Sequence, residues 1–314
     1  MRLVFMGTPG FAVPSLELLA QYHEVVCVVT AVDKPSGRGL QLIPSEIKKT
    51  AQRLNIPVLQ PEKLRAEEFI RQLTGFQADL FVVVAFRMLP EAVWKIPPYG
   101  TINLHASLLP DYRGAAPINW AIINGETKTG VTTFKIQHEI DTGNILLQRS
   151  VEILPHWNAG DLFYNLQHIG SELLLETINR LEKNELTETP QPNSLNLHLA
   201  PKLTKEITKL NPQRTAAEVH NLIRGLAPSP GVSLSLPNGK ILKIFNSEVT
   251  NFPVEPEEQG KIRCYQGKFQ LACADFWINL ENVQLEGKKR MTGQDFLRGY
   301  QLNASVGNKT NGIQ

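Results

Sequence analysis

Leu80-Phe81-Val82-Val83-Val84-Ala85 is the stretch on which the fold turns. It lacks the polar alternation of a strand open to water on one side, and so suits a strand covered on both faces. Working outward, comparable short apolar runs recur at Leu3–Met6, Val25–Val32, Pro57–Leu59, Thr101–Leu104 and Val131–Ile136. Helical spacing of apolar residues falls between them at Ala12–Ala20, Glu46–Leu54, Glu62–Leu73 and Pro117–Ile123, and again over Asp161–Leu181. Alternation of this kind predicts βαβ units, hence an α/β, Rossmann-like domain with a mostly parallel sheet over residues 1–183.

The turn after the first expected strand, Gly7-Thr8-Pro9-Gly10, is not a G-x-G-x-x-G loop. No acid ends the second strand as dinucleotide binding would require, since Asp33 comes later, beside Lys34-Pro35. A tight strand-to-helix turn is the simpler reading.

Beyond residue 183 the composition changes. Thr189-Pro190-Gln191-Pro192-Asn193 typifies a polar, Pro/Asn-rich stretch that predicts a linker over 184–208. Pro237-Asn238-Gly239, between Val232–Leu236 and Ile241–Phe245, signals a hairpin. A helix pattern at Ala216–Leu226 followed by several short strands predicts a smaller OB-like β-barrel over 209–302. The polar end, 303–314, is expected to be disordered.

A hydrophobic fraction of 42% with 20% charged residues fits a globular protein and argues against a disordered chain. No signal peptide or membrane span is apparent, and a cytoplasmic monomer is expected. Cys27, Cys264 and Cys273 are too few and too scattered for a disulfide framework or a zinc site, and no metal is expected. His23, His138, His156, His168, His198 and His220 lack metal-ligand spacing and read as surface or structural. The net charge of +2 is uneven: 14 Lys+Arg against 10 Asp+Glu over 201–300, but 17 against 20 over 1–200. A mildly basic C-terminal third is compatible with a polyanion partner.

The densest cluster of chemistry-bearing residues is Asn103-Leu104-His105-Ala106-Ser107-Leu108-Leu109-Pro110-Asp111-Tyr112-Arg113-Gly114. On a strand Asn103 and His105 share one face, at the C-terminal end where open α/β sheets bind ligands. An amide can bind a developing oxyanion and an imidazole can move a proton, which suits acyl transfer. Asp141, in Ile140-Asp141-Thr142-Gly143-Asn144, offers a carboxylate. Spacing alone leaves open that Asp141-Thr142-Gly143 is only a turn and His105 a structural histidine.

Asn103-x-His105, Ser107-Leu108-Leu109-Pro110 and Asp141-Thr142-Gly143 together resemble the 10-formyltetrahydrofolate-dependent formyltransferases. Tyr112-Arg113-Gly114-Ala115-Ala116-Pro117-Ile118 and Phe5-Met6-Gly7-Thr8-Pro9-Gly10-Phe11-Ala12-Val13-Pro14 resemble the branch that formylates initiator methionyl-tRNA. Segments at Asp33–Gly39, Ala200–Leu203, Arg224–Gly231 and Gly287–Met291 extend the resemblance over nearly the whole chain. It implies a formyl transfer without a metal, from 10-formyltetrahydrofolate to the α-amine of the charged tRNA. Asn103 would hold the oxyanion, His105 would move the proton, and Asp141 would orient His105 or relay the proton. The folate would lie against Ser107, Leu108, Leu109 and Pro110 and against Phe86, Arg87, Met88 and Leu89. Lys34, Arg38, Lys202, Lys288 and Arg290 would meet the tRNA, mostly at phosphates. Phe86-Arg87 stands where the family more often has Tyr-Gly. His138-Glu139-Ile140 and Asn144 also depart from its usual loop.

Three other readings compete. The same chemistry could serve a sugar-nucleotide amine or glycinamide ribonucleotide, although neither needs a second domain. A nucleic-acid-binding module on an inactive transferase fold is opposed by the intact Asn103, His105 and Asp141. A nucleotide-dependent oxidoreductase is opposed by the degenerate glycine turn.

Overall fold

The computed structural model describes residues 1–36, 41–192 and 196–300. It divides into two compact units, one built mainly from residues 1–202 and one mainly from the remainder.

In the first unit the strands are β1 (Arg2–Gly7), β2 (Glu24–Val29), β3 (Val58–Leu59), β4 (Leu80–Val84), β5 (Thr101–His105), β6 (Lys128–Lys135) and β7 (Ile145–Glu152). They form one sheet in the order β7-β6-β5-β4-β1-β2-β3. The five strands from β5 to β3 pair in parallel, whereas β6 runs antiparallel to β5, and β7 antiparallel to β6. The expected mostly parallel sheet is therefore there. All five residues of β4 are buried, which is why its sequence carries no polar alternation.

Helices α1 (Val13–Tyr22), α2 (Glu46–Arg53) and α3 (Glu67–Gly75) link the parallel strands, and α4 (Pro117–Ile123) and α5 (Ala159–Glu182) follow. The Ser45 hydroxyl caps α2 by accepting from the Lys48 amide at 3.1 Å. The turn at Gly7–Gly10 leads through one 3-10 turn into α1, as the simpler reading held.

Two elements differ from expectation. The strand expected to run to Val32 ends at Val29, and the helix expected from Glu62 starts at Glu67. Strand β7 was not anticipated. It sits at the sheet edge with polar and charged residues at alternate, more exposed positions, so its apolar signal is weak.

The stretch read as a linker is partly bound to the first unit. Thr189 and Ile145 exchange backbone hydrogen bonds, and Leu199–Ala200 pairs in parallel with Arg113–Gly114. Gln and Pro residues look like linker composition, yet they dock where other backbone groups satisfy theirs.

In the second unit α6 (Ala216–Leu226) begins with a capping box between Thr215 and Glu218. Strands β8 (Val232–Ser235), β9 (Ile241–Pro253), β10 (Ile262–Tyr265), β11 (Lys268–Ala272) and β12 (Phe276–Leu285) pair antiparallel in the order β8-β9-β12-β11-β10. The register of β9 against β12 breaks at three places, as in bulged strands that bend to wrap a core. That core joins Val219, Leu222, Ile223 and Leu226 of α6 to Leu242, Ile244, Phe269, Leu271, Ile278 and Leu280 of the sheet. Burial of each such side chain contributes about 1.5–3 kcal/mol. Among the described residues no helix is long and apolar enough to cross a membrane.

Candidate active site

A cavity of about 680 Å³ opens at the C-terminal ends of β1, β4 and β5. Val83 and Ala85 come from the end of β4, Asn103 and His105 from β5, and Phe134 and Ile136 from β6 and its exit. Pro9 and Phe11 line it from the turn before α1. Its position is the one that a doubly wound sheet dictates, because the loops leave the strand ends in divergent directions there. Its size suits a small organic molecule.

Asn103, His105 and Asp141 all line this one cavity, so the tertiary fold brings together residues 38 positions apart. The spacing of two along β5 puts the first two on one face. Among the described residues the Asn103 amide has no hydrogen-bond partner within the protein, although it lines the cavity. It is available to a ligand.

His105 is 6% exposed. Its Nε2 lies 2.8 Å from the Tyr112 carbonyl oxygen, which can only accept, so Nε2 carries the hydrogen. A neutral imidazole so tethered has its lone pair on Nδ1, the atom 3.8 Å from Asp141 Oδ2. Asp141 Oδ2 also accepts from the Gly114 amide at 2.9 Å. Asp141 has φ 55°, a left-handed backbone that Asp tolerates better than most residues. The Tyr112 carbonyl thus sets the imidazole tautomer, while the carboxylate stands beside the basic nitrogen.

Phe86, Arg87, Met88 and Leu89 line the same cavity, with Met88 strongly exposed and Leu89 buried. The Arg87 guanidinium is turned to the carbonyls of Pro61 and Glu62 and lies over the Phe86 ring. Ser107, Leu108, Leu109 and Pro110 are not on the cavity wall. Ser107 and Leu109 are buried beneath it, where Thr132 Oγ1 donates to the Ser107 carbonyl at 2.7 Å and accepts from the Leu109 amide at 3.1 Å. Ser107 Oγ donates to the Asp111 carbonyl at 2.6 Å. These bonds shape the turn that returns Tyr112 to His105.

Of the cationic residues, Lys34 is exposed at the start of a short hairpin, Lys34–Ser36 with Gln41–Ile43, and Arg38 lies outside the described residues. Lys202 and Lys288 are exposed. The Arg290 guanidinium lies 3.6 Å from the Phe245 ring centroid and donates to the Pro228 carbonyl. Lys34, Lys202, Lys288 and Arg290 do not line the cavity. Among the described residues no group of three or more His, Cys, Asp or Glu is placed to hold a metal ion.

Sequence reasoning missed the Gly114 amide and the Tyr112 carbonyl, because backbone groups leave no trace in residue type. It also missed Phe134, Ile136 and Gln137 on the wall. Their signal was position alone, at the end of the strand preceding Asp141.

The family model described as formyl transferase matches residues 1–178, and that described as formyl transferase, C-terminal domain, matches residues 202–301. A methionyl-tRNA formyltransferase of Bacteroides fragilis is 44% identical over 312 residues, covering 96% of each chain. One from Acidobacterium capsulatum is 45% identical over 306 residues, covering 96% of this chain and 97% of its own. Among solved structures, an N-formyltransferase from Helicobacter canadensis in complex with folinic acid and dTDP-3-aminofucose superposes with a TM-score of 0.65. It is 25% identical and covers 88% of this chain and 98% of its own.

Proposed function

The chain belongs to the formyl transferase family, and from that premise we propose how its residues carry a formyl group from 10-formyltetrahydrofolate to initiator methionyl-tRNA. The activity is formyl transfer to methionyl-tRNA from a folate-derived donor, since relatives of that name match nearly end to end. The observation that carries the mechanism is the shared cavity of Asn103, His105 and Asp141.

The neutral α-amine attacks the formyl carbon, and the carbonyl π electrons move onto oxygen. The Asn103 amide donates to that oxyanion. A donor of this kind is worth on the order of 3 kcal/mol in the transition state. The nitrogen, now cationic, loses its proton to His105 Nδ1, and the Asp141 carboxylate stands beside the resulting imidazolium. The oxyanion electrons re-form the carbonyl, the bond between the formyl carbon and N10 breaks, and N10 takes the proton that His105 accepted, which returns the imidazole to its starting state. The Tyr112 carbonyl holds the imidazole throughout by accepting from Nε2.

Phe86, Met88 and Leu89 offer the donor an apolar wall. Ser107 to Pro110 shape the turn that leads from His105 to Tyr112, and Ser107, Leu108, Leu109 and Pro110 remain residues assigned to the donor. Lys34, Arg38, Lys202, Lys288 and Arg290 remain the residues assigned to tRNA, with Arg290 the weakest because its guanidinium packs on Phe245. The working protein is a cytoplasmic monomer.

The test is acceptor competition with purified protein and 10-formyltetrahydrofolate. Charged initiator tRNA should be formylated in preference to amino sugars and glycinamide ribonucleotide. Formylation of a small amine alone would leave the chemistry standing and remove the tRNA.

A further inference from the structure

The polar stretch after α5 contributes a side chain that grips the Asp141 loop. Gln191 sits between Pro190 and Pro192. Its Nε2 donates to the backbone carbonyls of both Asp141 and Gly143, each at 2.8 Å. Its Oε1 accepts from Arg113 Nε at 3.1 Å and Nη2 at 2.6 Å. Both amide hydrogens and the carbonyl oxygen are thus used, and only a carboxamide supplies two donors and a two-fold acceptor from one planar group. Arg113 polarises the Gln191 carbonyl, which strengthens the amide hydrogens as donors to the loop.

The loop so held is the one that carries the carboxylate. Asp141 is gripped at its own carbonyl by Gln191 and at its carboxylate by the Gly114 amide. Arg113 and Gly114 are neighbours in the chain, so the same short segment reaches Asp141 twice. One route is direct, through Gly114, and the other passes through Gln191. With a left-handed φ at Asp141, the loop is in a conformation that its surroundings must hold.

We propose that Gln191 is a positioning residue for formyl transfer, fixing Asp141 beside His105 Nδ1. The proposal rests on the reading above that Asp141 serves His105. Gln191 itself is not among the residues lining the cavity and acts through the loop. The prolines on either side limit the backbone there and aim the amide at the loop.

The test combines two readouts on the full-length protein. The first is backbone amide exchange. Gln191→Ala should speed exchange over residues 140–144 while the β4 and β5 amides stay protected. The second is kinetic, with 10-formyltetrahydrofolate and methionyl-tRNA as substrates. Gln191→Ala should lower kcat about tenfold or more and leave the donor KM within about twofold. In an Asp141→Asn background the same change should cost less than about threefold, because the group it positions is already gone. Gln191→Glu, nearly the same shape, keeps an acceptor for Arg113 but faces two carbonyl oxygens with no hydrogen. It should lose at least as much kcat as Gln191→Ala. Wild-type exchange in the loop overturns the proposal, as does a wild-type kcat in either variant or a full effect in the Asp141→Asn background. If the unaltered protein formylates no methionyl-tRNA, the proposed function fails, and loop exchange still decides the role of Gln191.

Discussion

His105 gives its Nε2 hydrogen to the Tyr112 carbonyl oxygen, 2.8 Å away, and so turns Nδ1 toward Asp141, 3.8 Å from Oδ2. The bond spans seven residues and closes the turn 105–112 on itself. Tyr112 has φ 61°, so the carbonyl reaches the imidazole through a left-handed residue.

Replacing His105 removes the proton acceptor without removing a large part of the core. His105→Ala should lower kcat by about 10²–10⁴, the range of general base catalysis. Steady-state formylation with thermal unfolding as control measures it. A loss explained by unfolding alone would contradict the assignment.

Asn103 tests the oxyanion. Asn103→Ala should lower kcat about 100-fold or more, because the amide binds the transition-state oxygen more tightly than the ground-state carbonyl. The donor KM should change little. A large rise in KM at constant kcat would mean that Asn103 binds substrate uniformly.

Gly114 has φ 125°, and a Cβ there would lie 2.5 Å from the Ala200 carbonyl oxygen. Gly114→Ala therefore has to part the pairing of Arg113–Gly114 with Leu199–Ala200, at a cost of at least about 1–3 kcal/mol. It also moves the amide that donates to Asp141. Both the midpoint of thermal unfolding and kcat should fall. A variant of unchanged stability and rate would show that the segment yields more easily than this geometry implies.

Burial pushes the Cys27 and Cys273 thiols up to about 12, while Cys264 is exposed. Only a thiolate reacts readily, so at pH 8 native protein should take up one equivalent of iodoacetamide quickly, at Cys264, and three after denaturation. The raised values also set a sign. The folded state holds these protons where an unfolded chain, with thiols near 9, releases them, so both cysteines should erode stability as pH rises above about 9. Mass spectrometry of labelled protein and unfolding scans from pH 7 to 10 check the two parts.

Much of the fold could be read from residue order because burial writes itself into pattern. Phe81-Val82-Val83-Val84 announces a strand covered on both faces, and Pro237-Asn238-Gly239 announces a hairpin that forms between β8 and β9. Strand β7 escaped because an edge strand needs only one apolar face. Of the site, Asn103 and His105 were legible as neighbours on one strand face, since a period of two depends on nothing distant.

Residue order alone therefore determined the sheet, the second unit and the amide–imidazole pair, all of which follow from local periodicity and residue chemistry. Only the tertiary structure decided that Asp141 stands 3.8 Å from the basic nitrogen of His105, and that Tyr112 sets its tautomer. It alone turned a Pro-Gln-Pro stretch from apparent linker into a brace on the Asp141 loop. These relationships run through backbone carbonyls and amides, which every residue carries. Their direction depends on where the chain returns in space, and no pattern of side chains encodes it.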